Sequence, residues 1–124
     1  MPVKLLIVDD EPKIRSMLTG CLEQDGRTIT TAASGEEALR LIAQDPPQLM
    51  IVDMKMPGLS GLEVLQQVRT HTPPIGVFLL TGYDDDAIEQ QAKELGARGV
   101  IHKPPVFAEI RQLIHDAIAK LPPA

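Results

Sequence analysis

Val3-Lys4-Leu5-Leu6-Ile7-Val8-Asp9-Asp10 is almost unbroken in apolar side chains and halts at two acids. Apolar residues at successive rather than alternate positions mark a strand buried on both faces, as in a parallel sheet covered by helices. The run Ile75–Leu80 reads the same way. Leu49–Val52 and Val100–Ile101 are shorter runs of the same kind. Thr28–Ala33 is β-branched but polar, which suits a strand at the edge of a sheet.

Helical spacing fills the intervals between these runs. Apolar residues recur three and four apart at Ile14, Leu18, Cys21 and Leu22, then at Ala38, Leu39 and Ile42, then at Leu62, Leu65 and Val68. The same spacing returns at Ile88, Ala92 and Leu95, and from Phe107 through Ile110, Leu113, Ile114, Ala117, Ile118 and Leu121. Ser34-Gly35-Glu36-Glu37 and Ser60-Gly61-Leu62-Glu63 both have the form of a capping box. Asp84, Asp85 and Asp86 set negative charge at the start of the fourth helix, where the helix dipole favours it. Gly26, Gly96, Pro46-Pro47 and Pro73-Pro74 supply the stops.

Strand and helix therefore alternate five times, which predicts an α/β fold with a five-stranded parallel sheet, right-handed crossovers and helices on both faces. The expected strand order is 2-1-3-4-5, because it places the polar second strand at an edge. The chain has 124 residues, the size of one domain, so residues 1–124 are read as a single unit. With 44% hydrophobic residues it can bury one sizeable core.

Composition narrows the function. A net charge of -5 argues against a surface for direct nucleic-acid contact, which needs a basic stripe. The one cysteine, Cys21, cannot form an intrachain disulfide or a thiolate zinc site. It falls on the apolar stripe of the first helix, where a buried, inert thiol is expected. His71, His102 and His115 lack ligand spacing and read as surface residues. No apolar run is long enough to insert in a membrane, and no signal-peptide pattern is present, so the expected location is cytoplasmic.

A pattern remains at the strand ends. Asp9 and Asp10 close the first strand, Asp53 the third, Thr81 the fourth and Lys103 the fifth. In an open parallel sheet these ends share one edge, and ligands bind there near the switch point of the strand order. Three neighbouring carboxylates repel one another. A hard divalent cation with oxygen ligands relieves that repulsion, and Mg²⁺ is the usual choice beside phosphate. A lysine and a hydroxyl close by can bond phosphoryl oxygens. This set suffices for phosphoryl transfer to an aspartate.

In these residues the chain resembles the receiver domain of bacterial response regulators, a flavodoxin-like fold of two-component signalling. The resemblance rests on Asp9-Asp10, on Asp53-Met54-Lys55-Met56-Pro57-Gly58-Leu59-Ser60-Gly61, on Thr81-Gly82 and on Lys103-Pro104, in that order. It implies that Asp53 is the phosphoacceptor. It also implies that Asp10, Asp53 and the backbone carbonyl of Lys55 ligate Mg²⁺ (or Mn²⁺), with Asp9 acting through water. Lys103 would bond the phosphoryl group and Thr81 would respond to it. The implied donor is a phosphohistidine of a sensor histidine kinase or of a histidine phosphotransfer protein. The implied output is altered binding of an unidentified downstream protein at the face of the fourth helix, fifth strand and fifth helix. Such a domain is a switch and phosphoprotein rather than an enzyme, although it assists its own phosphorylation and dephosphorylation. The Lys103-Pro104 bond is expected to be cis.

The chain departs from the family at Val100, where an aromatic residue usually completes the switch, and at Pro105, where Phe is common. Lys55 and Tyr83 occupy positions that flank the phosphoryl group, and their bulk is expected to slow its hydrolysis. Two other readings stay open. Val100 favours a receiver fold that docks a partner without phosphorylation. A phosphatase with an aspartyl-phosphate intermediate shares the chemistry, but would carry Asp-x-Asp on its first strand.

Overall fold

The computed structural model describes residues 3–24, 26–71, 73–82, 86–103 and 105–121. The elements run β1 Val3–Val8, α1 Pro12–Leu22, β2 Arg27–Ala32, α2 Gly35–Gln44, β3 Leu49–Asp53 and α3 Gly61–Val68. They continue with β4 Gly76–Thr81, α4 Asp86–Glu94, β5 Gly99–His102 and α5 Phe107–Ala119. All five strands are parallel, in the order β2-β1-β3-β4-β5. The expected topology is therefore present, with the polar strand β2 at an edge.

Successive side chains of a strand point to opposite faces, and the core divides accordingly. Leu6, Val8, Met50, Val52, Val77 and Leu79 pack on one face against Ala38 and Ile42 of α2, Val64, Leu65 and Val68 of α3 and Ala92 of α4. Leu5, Ile7, Leu49, Ile51, Phe78, Leu80 and Ile101 pack on the other against Leu18 and Leu22 of α1 and Ile110, Ile114 and Ala117 of α5. The central strands β3 and β4 are buried along their whole length, as unbroken apolar runs require. Three helices lie on one face and two on the other. The layers place every carboxyl end of a strand along one edge.

Local chemistry sets the helix bounds. α3 begins with a complete capping box: Glu63 N–H donates to Ser60 Oγ, and Ser60 N–H donates to the Glu63 carboxylate. At α2 only half of the expected box forms. Ser34 Oγ accepts from Glu37 N–H, but the Glu37 carboxylate accepts from Ala33 N–H instead of Ser34. α1 uses Pro12 in its first turn, where a missing N–H costs nothing, and Glu11 caps it without a side-chain bond. α4 is the least anchored helix, with Ala92 its one fully buried residue. No helix among the described residues is long and apolar enough to cross a membrane.

Candidate functional site

The acids arrive at the sheet edge in different states. β1 extends by one ladder bond beyond Val8, from Asp9 N–H to the Ala32 carbonyl at 3.1 Å. That bond keeps Asp9 in strand alternation and buries it completely. Asp10 is the next residue and is exposed. It does not cap α1, since the residue at that position is Glu11. Asp53, the last residue of β3, is also buried. Asp9, Asp10 and Asp53 can each offer a carboxylate oxygen within 4.8 Å of the others.

Lys103 follows β5 directly, and its N–H donates to the Thr81 carbonyl at 2.8 Å, which fixes the end of β5 beside the end of β4. Its ammonium lies 3.1 Å from Asp53 Oδ1, 3.8 Å from Asp9 Oδ2 and 3.9 Å from Glu11 Oε1. Thr81 is buried at the end of β4, and the adjacent Gly82 lines the cleft. This open cleft, of about 620 Å³, is further lined by Asp10, Glu11, Asp53, Lys55, Pro57 and Lys103. The structure thus brings Asp9, Asp10, Asp53 and Lys103 together and ties Thr81 to Lys103 through the backbone.

Lys103 faces three acids. Burial pushes the Asp53 carboxyl above the ordinary aspartate value, although Lys103 and the backbone N–H of Lys55 bond it and pull the other way. Burial likewise raises Asp9, opposed by the Glu11 N–H that donates to Asp9 Oδ1 at 2.9 Å. Burial also works against the charge of Lys103. The carboxylates of Asp53, Asp9 and Glu11 outweigh it, and Lys103 sits above the ordinary lysine value.

Asp9 Oδ2 is buried and accepts no hydrogen bond among the described residues. A buried carboxylate oxygen without a donor is costly. A divalent cation bound by oxygen would satisfy it and offset the mutual repulsion of the three acids. The gathered donors, Asp9, Asp10 and Asp53, are all carboxylate oxygen, which suits Mg²⁺ or Mn²⁺ and not a soft metal. The residues present therefore fit the group.

The loop after β3 is held at both ends. Met54 N–H donates to the Leu80 carbonyl at 2.7 Å, and Gly61 N–H closes the loop on the Met54 carbonyl at 2.9 Å. Met56 is buried in the core between them. Gly61 has no room for a side chain, since a Cβ would stand 2.5 Å from the Asp53 carbonyl oxygen.

Two residues near the site escape a reading of motifs. Arg15 donates to the Asp9 carbonyl at 2.7 Å and steadies the loop that carries both acids. Glu11 adds a carboxylate to the cleft. Their spacing is a signal: Arg15 follows Glu11 by one helical turn, so the two face the same end of α1.

The remaining residues singled out in the sequence lie elsewhere. Cys21 is half-buried rather than fully buried, with its thiol 3.5 Å from the Phe107 carbonyl, and burial raises its pKa. His102 is exposed and bonds Glu89 of α4 at 2.7 Å. Val100 packs half-buried against the core that α4 covers. Tyr83, Asp84, Asp85 and Pro104 lie outside the described residues, and with them the expected cis bond and the full acidic start of α4.

The fold and this edge are those of a receiver domain, and the chain belongs to the response regulator receiver domain family, which matches residues 5–115. It is 37% identical to sporulation initiation phosphotransferase F of Bacillus subtilis, over 99% of this chain and 96% of that protein. A probable chemotaxis protein CheY of Rhizobium etli is 35% identical over 96% of this chain and 95% of its own length. Among solved structures, a response regulator receiver domain protein of Clostridium thermocellum superposes with a TM-score of 0.86 at 34% identity, covering 95% of each chain. The chemotaxis response regulator CheY4 of Vibrio cholerae gives 0.85 at 29% identity, covering 94% of this chain and 98% of the other. Receiver domains are signalling domains of two-component systems, and the acidic residues of the family bind Mg²⁺.

Proposed function

We propose that residues 1–124 form one receiver domain that accepts a phosphoryl group on Asp53 from a phosphohistidine of a sensor histidine kinase or histidine phosphotransfer protein. The observation that carries this reading is the contact of buried Asp53 with Lys103 at 3.1 Å, on an edge shared with Asp10 and with an Asp9 oxygen that accepts no hydrogen bond among the described residues. One carboxylate oxygen of Asp53 attacks phosphorus and forms the new P–O bond. The P–N bond to the donor imidazole breaks, its electron pair stays on nitrogen, and that nitrogen takes up a proton from solvent. Lys103 shifts its hydrogen bonds from Asp53 to the transferred phosphoryl oxygens. Asp10, Asp53 and the Lys55 carbonyl would hold Mg²⁺ (or Mn²⁺), with Asp9 acting through water, and the ion would neutralise phosphoryl charge when bound. Thr81 responds to the new group from the end of β4. Water later attacks phosphorus, the bond from the Asp53 oxygen to phosphorus breaks, and inorganic phosphate leaves as the Asp53 carboxylate is restored.

The output is a shift between two conformations, read by a downstream protein at the face of α4, β5 and α5. The light anchoring of α4 and the exposed Val106 and Leu113 beside β5 support that choice. The location that suits such a partner set is the cytoplasm. A docking role without phosphorylation would leave unused a buried Asp9 oxygen that accepts no hydrogen bond among the described residues.

The test is the intact mass after incubation with acetyl phosphate and Mg²⁺. Wild type is expected to gain one phosphoryl group only with Mg²⁺, and Asp53→Asn to gain none. A folded wild type that gains nothing under conditions that label a control receiver would overturn the reading.

A further inference from the structure

We propose that Glu36, at the start of α2, is a positioning residue that clamps the loop carrying the Lys55 carbonyl and so sets the affinity of the cation site; this rests on the functional reading above. The loop runs from Met54 to Gly61, and its inner contacts hold its two ends and Met56. Its outer turn, at Gly58 and Leu59, leans on a different helix. Glu36 Oε1 accepts from Leu59 N–H at 3.3 Å. The same carboxylate lies flat over Gly58, where a Cβ would meet Oε2 at 2.5 Å and Oε1 at 3.1 Å. Gly58 also has φ +80, a conformation that other residues adopt only with strain.

A second contact runs beside the first. Gly35 precedes Glu36 and touches the same turn, with Leu59 Cβ and Val64 Cγ2 each 2.8 Å from where its own Cβ would stand. Backbone closeness at Gly35 therefore brings α2 against the loop, and the Glu36 carboxylate fastens it. Glu37 does not compete for this role, because its carboxylate turns back to Ala33 N–H. Two glutamates that look interchangeable at a helix start thus have different tasks. One serves its own helix, and the other reaches 23 residues along the chain.

A carbonyl oxygen can contribute to a cation site only if its peptide is held in place, and partners outside the ligand set commonly supply that support. The Glu36 bond goes to Leu59 N–H, which is not among the candidate ligands. Its effect passes through Leu59 and Gly58 to the Lys55 peptide.

The experiment is Mg²⁺ titration by calorimetry of wild type, Glu36→Ala and Glu36→Gln, with amide hydrogen exchange at Leu59. Glu36→Ala is expected to weaken Mg²⁺ binding by about two- to tenfold, the range of one net hydrogen bond, and to speed exchange of Leu59 N–H. Glu36→Gln keeps an acceptor oxygen but loses the charge. It is expected to bind Mg²⁺ within about twofold of wild type, since Glu36 is exposed and its charge is screened by salt. Equal weakening in both variants would assign the effect to long-range charge and overturn the clamp. Unchanged binding in Glu36→Ala would overturn it as well, with the receiver reading intact. A wild type that binds no Mg²⁺ would overturn that reading and the clamp together.

Discussion

Lys103 Nζ lies 3.1 Å from Asp53 Oδ1, so the lysine proposed to meet the phosphoryl group already rests on the proposed phosphoacceptor. The contact is mostly shielded, because Asp53 is buried and Lys103 half-buried. Lys103→Met should therefore lower the rate of phosphorylation by acetyl phosphate by about 10²- to 10³-fold, the usual loss when one donor to developing charge is removed. Stopped-flow or intact-mass time courses would measure it. A rate within threefold of wild type would show that Lys103 takes no part in the transfer.

Asp9 gives a prediction in pH. Burial raises its folded-state pKa above the ordinary 3.8. Below that value Asp9 is neutral in both the folded and unfolded chain and costs nothing. As pH rises through the raised folded value, the buried group must ionise or hold its proton at a cost, and stability is lost. Asp9→Asn removes the charge and keeps the acceptor for Glu11 N–H. Without divalent cation, Asp9→Asn should match wild type in acid and exceed it by about 1–3 kcal/mol near neutral pH. Urea unfolding across pH with chelator present would test this. A gap of opposite sign at neutral pH would contradict it.

Adding Mg²⁺ should reverse that order. A ligand that binds only the folded state stabilises it by about 2.7 kcal/mol at a hundredfold excess over Kd. Wild type should rise in melting temperature with Mg²⁺, while Asp10→Asn should respond far less, because exposed Asp10 lies on the open side of the carboxylate group. Thermal melts with Mg²⁺ or with chelator separate the cases. An equal rise in both proteins would remove Asp10 from the ligand set.

The pair of Glu89 with His102 joins α4 to the end of β5. Both side chains are substantially exposed, so Glu89→Ala should cost no more than about 1 kcal/mol of global stability. Its local effect should be larger, because α4 has little else to hold it. Hydrogen exchange in α4 should quicken relative to α5. Unchanged protection of α4 relative to α5 would show that packing at Ile88 and Ala92 holds α4 without the pair.

The sheet was legible because its signals are periodic. Unbroken apolar runs at β1 and β4 require two covered faces, and the threonines of β2 suit an edge; this favoured the observed order without fixing the places of the other strands. The cluster of Asp9, Asp10, Asp53 and Lys103 was legible for the same reason: parallel strands bring their carboxyl ends together whatever their distance in sequence. The difference in burial between Asp9 and Asp10 was not. It depends on one ladder bond beyond β1, to Ala32, which no pattern encodes. The different errands of Glu36 and Glu37 were hidden likewise, because the partner of Glu36 lies across a loop whose path is set by Gly58. Cys21 matched the apolar stripe of α1, yet the stripe meets α5 at its margin, and the thiol is left half-buried.

Gly61 carries a consequence for how sequences of this kind can drift. A Cβ there would meet the Asp53 carbonyl oxygen at 2.5 Å and Met54 Cα at 2.9 Å, and both neighbours are backbone. Backbone cannot turn aside as a side chain does. Every single-base change of a glycine codon that alters the residue brings in a Cβ or ends the chain. Position 61 is therefore a wall for single mutational steps. The neighbouring residues Glu11, Lys55 and Pro57 are exposed along the cleft, so the rim of the site is set by side chains at the surface while its floor is fixed by backbone.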